Sequence, residues 1–517
     1  MSLKRIGILG ILLVIVLVNS LIVFGIPAHP DEYSPYHAFA CWQDVQKANI
    51  YHNSCANIEM NFGPLHYTQS YLYVGIASSL LMAFFSFFID PISAHFAMGI
   101  IALILSTLGM KLSFNLKSKW YLFLIMFPVA FSIIRDGSPA RITVIVFAFF
   151  PYLFRLMLTS TVLRRVGFWI LLNFMILLAI EDKPFIIYLA PGMLMIVLAH
   201  ESKEKLRFRF GQVVSSSLWF ASLFSASLVF LVGTKQNGEI YLFALAQSNE
   251  SRLGAFLLFS LASAVLHIFS WYAFAVRFVD INYDPIREQP EFYEALPWGS
   301  GVLSIWSLIL LLLTTLFASY LFYSWIRKSI LQIKTSKMLD QNTIYLIATL
   351  LLFFVPVLGG AWTSHHFVFA QMMVVVLLVK HSSSLPLIRW EVAVSAISLL
   401  TALSLTMFPH RSYNSEDSRK VIDQAIYEAK SSDVINCAYS CYFEYSLRNI
   451  KKIPITFAIS SSDVRDLVER FSTKGQVFHI CKECATNGLF DDRSVQAKLI
   501  TQEGEWFLFK LTNRSAN

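Results

Sequence analysis

The ionisable side chains that could do chemistry in this sequence stand at the edges of long apolar runs. Asp31 and Glu32 follow the first run in GIPAHPDEYSPYHAFACW, and Asp136 follows a later one in IIRDGSPARI. Lys183 comes directly after Glu181 and Asp182, and His365 with His366 opens a further apolar stretch in WTSHHFVF. A carboxylate at such a boundary can take a proton from an attacking hydroxyl or help hold a divalent cation. A Lys or His beside it can grip a lipid phosphate and stabilise the charge that develops as that phosphate leaves. Ionisable groups at membrane depth are costly and usually face a cavity or a partner. The plain alternative for each is a solvated residue at a span end. The Asp31–Glu32 pair stands above that alternative because it follows the first span at once and precedes an aromatic-rich segment.

The elements that must position these groups are membrane helices. Of 517 residues, 56% are hydrophobic and 14% charged, with a mean hydropathy of +0.58. Ordinary globular chains carry roughly 25% charged residues. Apolar runs of bilayer length fall at 7–27, 92–110, 119–135, 141–158, 166–180, 184–199, 211–233, 302–326, 343–361, 366–380 and 389–408,. Two more, 71–89 and 254–276, are ambiguous. The net charge of +8 sits in short clusters between runs, such as Lys111–Lys117–Lys119, Arg164–Arg165 and Lys203–Lys205–Arg207–Arg209. Topology explains such clusters, and no basic, aromatic-interleaved groove sequence points to nucleic acid. With Lys4 and Arg5 inside, the clusters alternate correctly if 71–89 and 254–276 are interfacial or re-entrant. Two full crossings there are the rival arrangement. In the first arrangement Asp31, Asp136, Lys183 and the two histidines share the outer face with the acidic loop 279–300, and in both the C-terminus is outside.

From about residue 409 the character changes. SEDSRKVIDQAIYEAK reads as an amphipathic helix capped by Ser415 or Asp417, and SSDVRDLVERF as a second helix,. VINCAY, PITFAI and QVFHI read as short buried strands, and EGEW as a turn between two final strands,. The expected fold is therefore a polytopic α-helical membrane protein of about 11–13 spans at 1–408, with a small extracytoplasmic α/β domain at 409–517. Its expected location is a bacterial inner (plasma) membrane, N-terminus cytoplasmic. Cys41 and Cys55 share the first outer loop, and Cys437, Cys441, Cys481 and Cys484 lie in the tail. An oxidising compartment favours disulfides or structural thiols, and the C-x3-C and C-x2-C pairs leave a zinc site as the alternative.

An N-terminal span followed by an outer Asp-Glu pair resembles the GT-C superfamily of membrane glycosyltransferases. The family-39 type, protein O-mannosyltransferases and lipid A aminoarabinose transferases, is the nearest. HPDEYSPYHAF is followed by NFGPLHYTQSYLY, similar to a first loop that ends in Pro-Leu-aromatic. RDGSPARITVIVFAFFPYLFRL, LLAIEDKPFIIYLAPGMLMIV, EFYEALPWGSGVL and SHHFVFAQMMVVVLLV continue the pattern in order. The resemblance implies a sugar moved with inversion from a polyprenyl-phosphate donor to a glycan, lipid or protein acceptor at the outer face. It implies Asp31 as base or metal-linked carboxylate, Glu32 as its partner and Asp136 as the second acid. Lys183, His365 and His366 would bind the donor phosphate. A divalent cation, Mg²⁺ or Mn²⁺ on Asp31 and Asp136, is the one cofactor expectation. The sequence departs from the pattern where Asn61, Phe62 and Gly63 precede Pro64 in place of Lys-Pro, and where Pro184 follows Lys183 with no Gly. Another lipid-linked glycan transferase of ligase or polymerase type is the first rival function, and a transporter or flippase the second. A membrane scaffold is the third. Nearly charge-free spans with charge at one rim favour an interfacial enzyme over a conduit.

Overall fold

In an apolar medium the backbone of long Leu-, Ile-, Val- and Phe-rich runs is satisfied only within helices or closed barrels. The computed structural model forms helices. It describes residues 3–25, 58–62, 65–69, 81, 84–85, 88–89, 91–117, 119–135, 140–182, 186–201, 210–234, 261–262, 264–265, 267–268, 305–336, 339–359, 364–381, 390–407, 416–430, 432–437, 455–456, 461–471, 475–482, 495–504 and 506–513. Helix α1 (Leu3–Ser20) loosens into one π turn, Leu21–Gly25. A short antiparallel pair follows, β1 (Ile58–Phe62) with β2 (Leu65–Gln69). Then come α2 (Pro91–Ser113), α3 (Leu122–Ile125), α4 (Phe127–Ile134), α5 (Ala140–Thr159) and α6 (Val162–Asp182). They are followed by α7 (Ile186–Glu201), α8 (Phe210–Thr234), α9 (Ile305–Ser336), α10 (Gln341–Phe354), α11 (Ser364–His381) and α12 (Trp390–Met407). Among the described residues, five helices are long and apolar enough to cross a membrane, and five shorter apolar ones join them.

The single span expected at 119–135 is instead two short helices. Met126 between them is extended (ψ 108°), and Pro128 stands in the first turn of α4. Pro128 has no N–H to continue the ladder, and the freed Phe127 N–H donates to Ser398 Oγ of α12 at 3.1 Å. Every residue of α4 is buried. A broken helix is tolerated in a membrane where protein rather than lipid surrounds it, so α3–α4 forms the centre of the bundle. Around it, Leu9, Leu12, Leu13 and Val16 of α1 and Leu312 and Leu316 of α9 are exposed, as lipid-facing side chains would be.

Of the two ambiguous stretches, only a few residues are described. Leu81, Phe84 and Phe85 are helical in the first, and Leu261 to Ile268 in part in the second, where Ala264, His267 and Ile268 are buried. The acidic loop 279–300 lies outside the described residues.

The tail is an α/β sheet. Helix α13 (Glu416–Glu428) precedes β3 (Val434–Cys437) and β4 (Ile455–Thr456), and α14 (Ser461–Phe471) precedes β5 (Val477–Lys482). Strands β6 (Val495–Glu503) and β7 (Trp506–Asn513) complete the order β4-β3-β5-β7-β6. Strand β3 is parallel to β4 and β5, and the β5–β7 and β6–β7 pairs are antiparallel. The EGEW turn holds, with Gly504 at φ +56°, a conformation that favours glycine. Alternate residues face opposite sides of a strand. Ile435, Phe478, Ile480 and Leu508 accordingly pack with Val421, Ile422 and Ala425 of α13. Val434, Val477 and Leu511 pack with Val464, Leu467 and Val468 of α14. One helix therefore covers each face. Asp417 lies inside the first turn of α13, and the capping position Ser415 is outside the described residues. Cys481 is disulfide-bonded, which favours the disulfide reading over zinc.

Candidate functional site

Asp31, Glu32, Asp136 and Lys183 lie outside the described residues, as does the side chain of His365. The segments that lead to them are described, and side-chain bonds tie those segments together. Arg135, last before Asp136, is 2% exposed and donates from a guanidinium nitrogen to the Ile22 carbonyl of the opened turn after α1 at 2.6 Å. Arg141, at the start of α5, is 3% exposed. It donates from Nε to the Ile133 carbonyl at 3.1 Å and from a terminal nitrogen to the Ile134 carbonyl at 2.6 Å. The same guanidinium lies 3.1 Å from a ring nitrogen of His95, itself fully buried on the first turns of α2.

These residues meet for local reasons. The last carbonyls of α4 have no partner within their own helix, and Arg141 of the next helix supplies one. The opened turn at Leu21–Gly25 likewise frees a carbonyl, and Arg135 takes it. Helix α2 approaches α4 closely because position 99 is glycine; a Cβ there would stand 2.6 Å from the Ile134 carbonyl oxygen. Asp136 thus follows one anchored arginine and precedes another. Sequence reasoning passed over Arg135, Arg141 and His95. The signal available for the arginines was two guanidinium groups six positions apart at one span boundary, flanking an acid.

The remaining exits reach the same end of the bundle. Thr143 Oγ1 of α5 donates to the Ala179 carbonyl at 3.4 Å, near the end of α6 that leads to Lys183. Phe147 of α5 meets Phe369 of α11 edge to face at 5.3 Å, two turns into each helix. His366, at the start of α11, is half-buried and makes contacts of its own. One residue on, Phe367 stacks on His267 at 4.8 Å. Gln371, fully buried, donates to the His267 carbonyl at 2.8 Å. The ambiguous stretch 254–276 therefore contributes a polar residue to the bundle interior, which its apolar sequence did not announce.

The arrangement at this rim is a set of chain ends held by buried cations. Buried guanidinium groups are stable only when their donors are matched, and carbonyl acceptors match them here. Among the described residues, no three or more His, Cys, Asp or Glu side chains gather as metal ligands do.

No protein-family model matches the sequence, and no curated protein matches it. Solved structures do resemble the fold. ArnT from Cupriavidus metallidurans in the apo state superposes with a TM-score of 0.52 at 10% identity, covering 98% of this chain and 98% of that one. The same protein bound to undecaprenyl phosphate gives a TM-score of 0.53 at 8% identity, again over 98% of each chain. The likeness is one of fold, and it runs through both the helical bundle and the tail. It agrees with the GT-C resemblance of the sequence.

Proposed function

We propose that this protein is a lipid-linked glycosyltransferase whose reaction takes place at the bundle end held by Arg135 and Arg141. The observation that carries the reading is the fold, shared end to end with an ArnT structure that contains undecaprenyl phosphate. The rim geometry supports it. The exits towards Asp31 and Asp136 are drawn together by the Arg135–Ile22 bond, and Asp31 is only six residues beyond Gly25.

In this reading the Asp31 carboxylate accepts the proton of the acceptor hydroxyl as its oxygen attacks the anomeric carbon of the sugar. The bond between that carbon and the phosphate oxygen breaks on the opposite side, which inverts the centre. The electron pair leaves with the polyprenyl phosphate. Lys183, His365 and His366 stabilise the charge gained by the departing phosphate. Glu32 and Asp136 complete the acidic set. Arg135 and Arg141 act as positioning residues, since their donors are engaged by carbonyls. Asp31 and Asp136 would offer hard carboxylate oxygens to Mg²⁺ or Mn²⁺; titration of activity with EDTA tests whether such a cation takes part.

The outer-face placement is supported by charge. Lys111, Lys117, Lys119, Arg164, Arg165 and Lys380 belong to the helix ends away from this rim, as cytoplasmic ends would. A disulfide at Cys481 suits an oxidising compartment for the tail,.

The test uses the full-length protein in liposomes with a panel of polyprenyl-phosphate-linked sugars. Asp31→Asn is expected to lower transfer about 10³-fold, within the usual range for a catalytic proton acceptor, while purifying as the wild type does. Transfer near the wild-type rate would remove Asp31 from the mechanism.

A further inference from the structure

The opposite end of the bundle holds basic residues in a different state. Arg155 lies fourteen residues along α5 from Arg141, about 21 Å at the rise of a helix. A cavity of about 420 Å³ opens there between α5, α6, α7 and α8, lined by Phe154, Arg155, Arg165, His200, Ser215 and Trp219 among others. That volume lies within the range of small-molecule sites, roughly 300–1,000 Å³.

The lining has cations and hydroxyls and no carboxylate among its described residues. Arg155 lies over the Tyr152 ring, 5.7 Å from its centroid, and no ion pair engages it among the described residues. Arg165 uses one terminal nitrogen on the carbonyls of Leu158 and Ser160, both at 3.3 Å, while its buried Nε has no partner. Nε2 of His200 is also buried without a partner, on a ring packed against Phe114 and Tyr345. Arg155 and Lys380 are its charged neighbours. A buried guanidinium donor such as Arg165 Nε is matched by an acceptor in most proteins,. A phosphate supplies oxygens enough for both guanidinium groups.

The surroundings indicate how that phosphate arrives. Helices α6 and α8 flank the cavity with outward apolar faces, on which Leu163 is 86% and Leu218 66% exposed. Basic pockets between membrane helices hold anionic headgroups whose chains remain in the lipid. We propose that this cavity binds the phosphate of an anionic phospholipid, with the acyl chains along the exposed faces of α6 and α8. The site is remote from the proposed reaction centre and stands whether or not the chain transfers a sugar.

Native mass spectrometry of the full-length protein, with phosphatidylglycerol and phosphatidylcholine added in equal amounts, tests it. The expected result is retention of phosphatidylglycerol about ten-fold over phosphatidylcholine, which carries the same phosphate but brings a choline cation against Arg155 and Arg165,. Arg155→Gln should lower that adduct by a similar factor. Gly211→Leu should do the same by filling space, because a Cβ at this lining glycine meets nothing within 4 Å. Arg164→Gln, an exposed neighbour outside the lining, should change nothing. Unaltered adducts in Gly211→Leu and Arg155→Gln would overturn the proposal, and so would equal retention of phosphatidylcholine. Displacement of the adduct by millimolar inorganic phosphate would overturn its lipid part. A thermal melt of each variant shows that it is folded.

Discussion

The two ends of the helical bundle use arginine in opposite ways. At one end Arg135 and Arg141 are almost wholly buried, and carbonyls of Ile22, Ile133 and Ile134 take their donors. At the other, Arg155 and Arg165 border an open cavity with donors left over. The first pair is part of the frame, while the second is available to a ligand. Burial alone does not separate the roles; the presence or absence of acceptors does.

Substitution separates the two pairs of arginines. Arg141→Leu should cost most, about 3–5 kcal/mol, because it strips two helix-end carbonyls of their donor and leaves His95 beside an apolar chain. Arg155→Leu should cost under about 1 kcal/mol, since no described acceptor loses a side-chain donor. Unfolding of both variants in the same detergent, followed by circular dichroism, checks the difference; equal losses would erase the contrast.

A buried histidine in the tail extends the comparison to a titratable group. His479 lies on β5 with Asn436 Nδ2 donating to its Nδ1 at 2.6 Å. Burial pushes its pKa from 6.5 down to about 4, where the rim's carbonyls stabilise a buried cation. The unfolded chain binds a proton at His479 below about pH 6.5, and the folded one only near pH 4. Stability of the tail therefore falls as pH drops through that window, by up to about 3 kcal/mol at about 1.4 kcal/mol per pKa unit. Hydrogen exchange of β3 and β5 in the full chain measures it, and His479→Gln should flatten the slope. An unchanged slope would mean that another group carries it.

Two glycines give the smaller effects. Gly99→Val drives a side chain into the Ile134 backbone and should cost about 1–3 kcal/mol, as overpacking does. Gly211→Leu enters open space and should leave the melting temperature unchanged or slightly raised, since glycine disfavours helix by about 1 kcal/mol. A large loss at position 211 would show that the cavity wall is tighter than its geometry indicates.

Much of the architecture was legible from local pattern. Apolar run lengths located the helices, and strand and helix periodicities located α13, α14, β3, β5 and the β6–β7 turn. The strand pair at 58–69 was not read, although Gly63-Pro64 stands between its two strands in the sequence. The break at Met126 was also missed. Pro128 alone is compatible with the first turn of a longer helix, and the partner that stabilises the break, Ser398, is 271 residues away. The candidate acids and the phosphate-binding group were legible only as residue types at boundaries.

Local pattern alone makes this chain a helical membrane protein with an α/β tail and sets which end of each span is basic. Those properties follow from hydropathy, charge and short-range periodicity, all carried by neighbouring residues. Which arginines are consumed, and which keep donors to spare, is set by the packed fold. That outcome depends on acceptors from distant parts of the chain: Arg135 finds its partner 113 residues away at Ile22, whereas around Arg155 the packing of α5, α6, α7 and α8 leaves a space with no carboxylate among its described walls. A hydrogen bond needs its acceptor within about 3 Å, and for residues far apart in sequence only the fold sets that distance.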